Sequence, residues 1–262
     1  MKPEKALFDL YESGEEVSKC VSDILLSERY CAACEVYRVY FSFSHLLNFK
    51  EVLYFTKRFT GWRIAIWHVT ETIDELYSLF PDDDVVRTEA EKRFRAPSRI
   101  LEWVAVRALL YDMLDRQVPI LYRDNGAPYL PDYEHLDISI SHTMGYVAVA
   151  LAEEGEIGID IEQKGERVMR VKSRFVREDE RAETLDQMLL HWSAKETAFK
   201  MLNRDKVDFL KHFHIQPFDI DETEEGQFLL QETKTNDERL FQIHYKIFPD
   251  FVLTYSHRVF ED

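Results

Sequence analysis

Long apolar runs, a cysteine framework and an excess of basic residues are all missing from this 262-residue chain. No hydrophobic stretch approaches the roughly 18 residues needed to cross a bilayer, and no basic segment followed by an apolar one opens the sequence. Neither membrane insertion nor secretion is indicated, and a cytoplasmic location is expected. The three cysteines, Cys20, Cys31 and Cys34, all fall in the first fifty residues. An odd number without a later Cys/His pair makes neither a disulfide framework nor a complete zinc site, so the Cys31-to-Cys34 spacing reads as structural thiols. With 33 Lys and Arg against 49 Asp and Glu, the formal net charge of −16 opposes nucleic-acid binding, which depends on clustered bases at phosphates. A Walker lysine loop and a glycine-rich dinucleotide fingerprint are also absent. What is present, 45% hydrophobic and 13% aromatic residues, describes a folded globular protein.

The segment 1–51 reads as an N-terminal extension of unknown role. From Trp62 to Val69 apolar and polar residues alternate as in a half-buried strand, and Thr70 to Leu76 reads as a helix start with a threonine N-cap and an acidic first turn. The strongest helix pattern covers 90–116, with Ile100, Trp103, Val104, Val106, Leu110 and Leu114 as its apolar stripe and Arg95, Arg99 and Arg107 nearby. A loop at Asn125–Pro128 precedes a strand from Leu136 to Ser141 that ends at His142. Strand-like runs at 146–152 and 156–162, joined by Glu153–Gly155, predict a hairpin. A second amphipathic helix at 187–202 is followed by strand patterns at 213–220, 227–233, 240–247 and 251–256. The class is α+β, in two halves of similar size, 52–135 and 136–262.

Two constellations carry chemistry. Asp160 and Glu162, at i and i+2 on a strand, project from one face about 7 Å apart along the chain. Alternation with Ile157, Ile159 and Ile161 favours the plainer reading of a solvent-facing edge, although Gly158 marks close approach by another group. On the helix, Trp192, Glu196 and Lys200 share a face at i, i+4 and i+8; an ordinary surface Glu-to-Lys pair beside a core tryptophan fits that spacing too. Together, three carboxylates from a strand and a helix suit a hard divalent ion that takes oxygen ligands, with a diphosphate completing its shell. Lys200 and His142 are then candidate donors to that diphosphate.

The run Ile138 to His142, then Gly158 to Glu162, then Trp192 through Lys200, resembles the signature of the 4'-phosphopantetheinyl transferase superfamily, in its larger Sfp-type branch, from about residue 52 to the C-terminus. That resemblance implies a pseudo-dimer of two similar α+β halves with coenzyme A in the cleft between them. It implies Mg²⁺ held by Asp160, Glu162 and Glu196, with Glu196 also deprotonating the carrier serine and Lys200 and His142 neutralising charge on the departing oxygen. Ser141 and Lys195 match positions that help to bind coenzyme A. The implied reaction moves 4'-phosphopantetheine from coenzyme A to a serine of an apo acyl or peptidyl carrier protein, as in fatty-acid biosynthesis, and releases adenosine 3',5'-bisphosphate.

One departure concerns the nucleotide end: Ala127 stands where the family commonly has lysine in Gly-Lys-Pro, leaving Arg99 or Arg95 to meet the 3'-phosphate. A coenzyme A- or carrier-binding paralogue with weak turnover is the alternative this departure raises. The basic run Lys164, Arg167, Arg170, Lys172, Arg174 and Arg177 could steer an acidic carrier despite the acidic total. A chain that supplies both sides of its own cleft is expected to work as a monomer.

Overall fold

A computed structural model of the chain describes residues 53–259. The extension 1–51 and its cysteines lie outside the described residues. The elements run β1 (Leu53–Phe59), β2 (Trp62–His68), α1 (Ile73–Tyr77), α2 (Asp83–Arg93), α3 (Pro97–Leu114), β3 (Leu121–Tyr122), β4 (Pro128–Tyr129), β5 (Asp137–Thr143), β6 (Tyr146–Ala152), β7 (Glu156–Gln163), α4 (Arg167–Val171), α5 (Leu185–Leu202), α6 (Phe209–His212), β8 (Phe213–Ile215), β9 (Glu225–Glu232), β10 (Leu240–Ile247) and β11 (Phe251–Arg258). Helix and sheet are thus both present, as an α+β chain requires. Among the described residues no helix is long and apolar enough to cross a membrane.

Local chemistry accounts for several boundaries. Helix α1 begins at Thr72, two residues later than the sequence predicts, because only there does Glu75 complete a capping box with the threonine side chain. The single helix expected over 90–116 is two. Phe94 ends α2 in an extended conformation and Pro97 opens α3 at its first turn, where a missing N–H costs nothing. Thr184 and Gln187 form a second capping box at the start of α5, whose last turn closes on Asn203 in the left-handed conformation.

Pairing is antiparallel within two main sheets, ordered β1-β2-β6-β5 and β7-β11-β10-β9-β8. The hairpin expected between β6 and β7 does not form. Strand β6 pairs with β2 and β5, whereas β7 pairs with β11, so the chain changes sheet at Glu153–Gly155. Gly155, at φ +84° and with no room for a β-carbon beside the Arg258 carbonyl, permits that crossing. Because β5 and β6 belong to the first sheet, the change of sheet falls about twenty residues beyond the division expected near 135.

The layers are helix, sheet, sheet, helix. Trp103, Val104 and Leu109 of α3 pack on Ala65, Trp67, Val147 and Val149 of the first sheet. The opposite face of that sheet, through Ile64, Ile66, Ala148 and Ala150, meets Ile157, Ile159 and Ile161 of β7 and Leu253 and Tyr255 of β11. Helix α5 covers the outer face of the second sheet through Met188, Ala194, Ala198 and Met201. Burial of the three isoleucines against the first sheet turns Gly158, Asp160 and Glu162 toward α5, as the two-residue period of a strand requires.

Candidate active site

Strand β7 and helix α5 come close at Gly158, where an added β-carbon would lie 2.6 Å from the Thr197 carbonyl oxygen and 2.7 Å from Met201 Cγ. Only glycine allows this approach, and it brings the even-numbered acids of β7 under the helix. Asp160 is 4% exposed, which removes the solvent-facing reading. Its Oδ1 accepts from Lys200 Nζ at 2.9 Å and from Ser141 Oγ at 2.9 Å. Its Oδ2, buried as well, has no hydrogen-bond partner among the described residues. A buried carboxylate oxygen left unpaired is costly, and such an exception calls for a ligand or a function.

Glu162, one step along the strand face, accepts the Trp192 indole N–H at 2.7 Å. Burial pushes its carboxyl above the ordinary range, with the Asp160 charge adding to the effect. Glu196 is pushed up to about 7, first by burial and then by Asp160, with Glu162 contributing and Lys200 opposing. Lys200 does not spend its ammonium on a surface pair with Glu196; it donates to Asp160 and, at 2.8 Å, to the Ile159 carbonyl.

Among the described residues, no group of three or more His, Cys, Asp or Glu side chains forms a preassembled metal cage. The donor set nonetheless fits a hard divalent cation: every candidate atom is a carboxylate oxygen, one is buried without a partner, and burial together with the Asp160 charge raises the carboxyls of Glu162 and Glu196.

Glu196 and Lys200 open onto a cleft of about 570 Å³ that Arg93, Arg99, Arg123 and Arg204 also line, with Trp103 and Tyr122. Its volume is that of a site for a cofactor-sized molecule. Its lining mixes charges, with Asp137, Glu156, Glu196 and Asp205 beside Lys200 and the arginines. His142 and Arg99 both line the cleft and both face Glu102, whose Oε2 accepts from Arg99 at 2.7 Å and lies 3.7 Å from His142 Nδ1. Burial lowers the affinity of His142 for a proton. Ala127 also lines the cleft, in the β3–β4 turn, where Gly126 takes φ +85° and the Asn125 amide reaches the Asn203 side chain.

Two expected coenzyme A ligands, Lys195 and Ser141, do not line the cleft. Lys195, fully buried, donates to the Phe175 carbonyl at 2.6 Å, to Glu180 Oε2 at 2.8 Å and to the Phe213 carbonyl at 3.2 Å, so its ammonium is wholly committed inside the protein. The reason is helical geometry: Lys195 follows Ala194 into the α5 core face, whereas Glu196 and Lys200 share the other. Ser141 is 7% exposed and uses its hydroxyl on Asp160 and on the Ile161 N–H at 3.2 Å, which makes it a support for the acid. Arg204 and Trp192 were missed as site residues. Nothing in periodicity marks Arg204, beyond the end of its helix, whereas Trp192 shares a face with Glu196.

Comparison with known proteins bears on the same region. A 60-residue stretch of the chain is 38% identical to the 4'-phosphopantetheinyl transferase AcpT of Escherichia coli O157:H7, and equally to that of Escherichia coli strain K12. The match spans 23% of this chain and 31% of each relative, so the chain matches less than a third of their length. Residues 156–256, which carry Asp160, Glu162, Glu196 and Lys200 and run from the start of β7 into β11, match the 4'-phosphopantetheinyl transferase superfamily.

Proposed function

We propose that the protein transfers the 4'-phosphopantetheine group of coenzyme A to a serine of an apo acyl or peptidyl carrier protein, with Mg²⁺, and releases adenosine 3',5'-bisphosphate. The observation that carries this reading is the unpartnered Asp160 Oδ2, in a group of three carboxylates beside a cleft that Glu196, Lys200 and four arginines help to line. Asp160, Glu162 and Glu196 would hold the cation, which when bound would offset charge on the diphosphate.

The chain's own groups divide the remaining work. Lys200, anchored on Asp160 and the Ile159 carbonyl, stands at the junction of the acid cluster and the cleft, where its ammonium can meet a diphosphate oxygen. The serine oxygen attacks the phosphorus nearer pantetheine, forming one P–O bond as the bond to the bridging oxygen breaks. The bonding electrons leave on the nucleotide, and Lys200 and His142 stabilise the charge that gathers there. Glu196 takes the serine proton directly or through water. Arg99, Arg123 and Arg204 supply cationic contacts for the nucleotide phosphates, in place of a lysine at 127. The two helix-covered sheets fit the pseudo-dimeric organisation that the sequence resemblance implies, with a monomer as the working unit.

The carrier enters from the side of α4. Gln163 follows Glu162 directly, and Met144 and Met169 are 74% and 51% exposed near the run that contains Arg167, Arg170 and Arg174. Exposed methionines beside a basic run suit an acidic partner with an apolar centre.

The test is incubation with coenzyme A, Mg²⁺ and apo acyl carrier protein, read by intact mass. Addition of one phosphopantetheine group that EDTA prevents is the expected result. Coenzyme A binding without mass gain on several carriers would support the weak-turnover paralogue.

A further inference from the structure

Strands β5 and β7 sit at the edges of different sheets, yet they are joined. β7 bonds β11 on one side; on the other, the N–H groups of Ile157, Ile159 and Ile161 point away from that partner. An edge strand with buried donors must have them met, and no backbone carbonyl of another strand meets these among the described residues. Three short side chains do so instead. Ile157 N–H donates to Asp137 Oδ2 at 2.8 Å, Ile159 N–H to Ser139 Oγ at 3.1 Å and Ile161 N–H to Ser141 Oγ at 3.2 Å. Both sets advance by two residues, and the offset between partners is constant at 20, so the two strands run in the same direction and are stitched in register.

We propose that Asp137, Ser139 and Ser141 form a positioning ladder, which sets β7 along its axis so that Asp160 and Glu162 face Glu196 and Lys200. The argument is one of leverage. A shift of one residue along a strand moves its side chains by about 3.3 Å and turns each to the opposite face. The acid cluster tolerates no such slip, since Asp160 must meet Lys200 while Glu162 meets Trp192. Ser139 holds the central rung. It is 3% exposed, and it fixes Ile159, whose carbonyl accepts Lys200 and whose neighbour is Asp160. Ser141 adds a direct bond to Asp160, so its loss would mix two effects; Ser139 touches neither acid and isolates the ladder. Side-chain length is the selecting feature: serine and aspartate span the gap, and alanine does not reach.

This inference rests on the metal reading of the acid cluster, and its test separates the two. Mn²⁺ binding to the full chain is measured by calorimetry for the wild type, Ser139→Ala and Ser139→Thr, without coenzyme A or carrier. Ser139→Ala should weaken Mn²⁺ by about tenfold, the scale seen when a group that orients metal ligands is lost, and Ser139→Thr, which keeps the hydroxyl, should restore it to within about twofold. Ser139→Ala that folds and binds Mn²⁺ as the wild type does would overturn the ladder. If the wild type binds no Mn²⁺, the metal reading fails and backbone hydrogen exchange decides the ladder alone. Faster exchange spreading from Ile159 to Asp160 and to residues 196–200 supports it, and faster exchange confined to Ile159 contradicts it. Should Ser139→Ala not fold, Asp137→Ala against Asp137→Asn, which retains an acceptor oxygen, gives the same comparison at the outer rung.

Discussion

Two lysines five positions apart on helix α5 enter two carboxylate pairs of opposite character. Lys195 and Glu180 are both fully buried, and every strong group between them is answered: the ammonium has backbone carbonyls, and Glu180 also accepts the N–H groups of Arg177 at 2.9 Å and Ile215 at 2.7 Å. Lys200 stands at the cleft bonded to Asp160, with one aspartate oxygen unanswered and two more acids, Glu162 and Glu196, whose carboxyls burial and the Asp160 charge raise. The closed pair ties the loop 175–180 and strand β8 to the helix, and burial lowers the affinity of Lys195 for its proton without freeing it for a ligand. The open pair is poorly satisfied within the chain. What distinguishes structure from chemistry here is the completeness of hydrogen bonding, since burial and charge are common to both.

The largest expected effect lies on the closed side. Lys195→Met leaves Glu180 buried and uncompensated, and should cost about 3–5 kcal/mol of stability by denaturant unfolding. Glu196→Gln on the next residue should do the reverse: it relieves repulsion among three acids, leaves the unfolding midpoint equal or higher, and lowers kcat by at least about 10²-fold, as loss of a general base does. Comparable stability loss in both variants would erase the distinction.

That distinction was only half visible in the sequence. Asp160 and Glu162 followed from the two-residue period, and Glu196 with Lys200 from the helical one, because local periodicity decides which side chains share a face. The same period places Lys195 off that face, but which buried oxygens would receive it depends on Phe175, Glu180 and Phe213, distant in sequence and joined only by tertiary packing. The false hairpin at Glu153–Gly155 has a related cause: a tight turn between two strand patterns looks alike whether the strands pair with each other or part to different sheets. The break between α2 and α3, by contrast, was legible at Pro97, which the apolar stripe of the longer pattern obscured.

The open side can be sharpened at its support. Trp192→Phe keeps an aromatic ring against Phe175 and Phe209 but removes the indole donor from Glu162. Mg²⁺-dependent activity should then need about tenfold more metal, with little change in the unfolding midpoint; an unchanged metal requirement would show that the bond does not orient the acid. Reversal of Arg170 and Arg174 to glutamate should raise the KM for carrier several-fold, more at low salt, and leave the KM for coenzyme A unaltered. Equal changes in both constants would remove α4 from the docking face.

The smallest effect concerns pH. Glu225 accepts from Lys57 at 2.7 Å and from Lys246 at 2.8 Å, and these partners depress its carboxyl to about 2. A depressed carboxylate stabilises the folded state above its ordinary range and loses that contribution as pH falls toward about 2. Its side chain is 37% exposed, so solvent screening keeps the contribution within about 1 kcal/mol. Glu225→Gln should therefore flatten the acid limb of the stability profile slightly and leave neutral stability lower by less than that amount. An acid limb identical to that of the wild type would show that the pair is fully screened.

The central claim, that the incomplete acid cluster exists to join a divalent cation to a diphosphate in the cleft, is tested most directly by calorimetric titration of coenzyme A into the protein with Mg²⁺ and with EDTA. Tighter binding with Mg²⁺, by about tenfold or more, and loss of that difference in Glu196→Gln, is the predicted result. Equal affinity for coenzyme A in Mg²⁺ and in EDTA would contradict it.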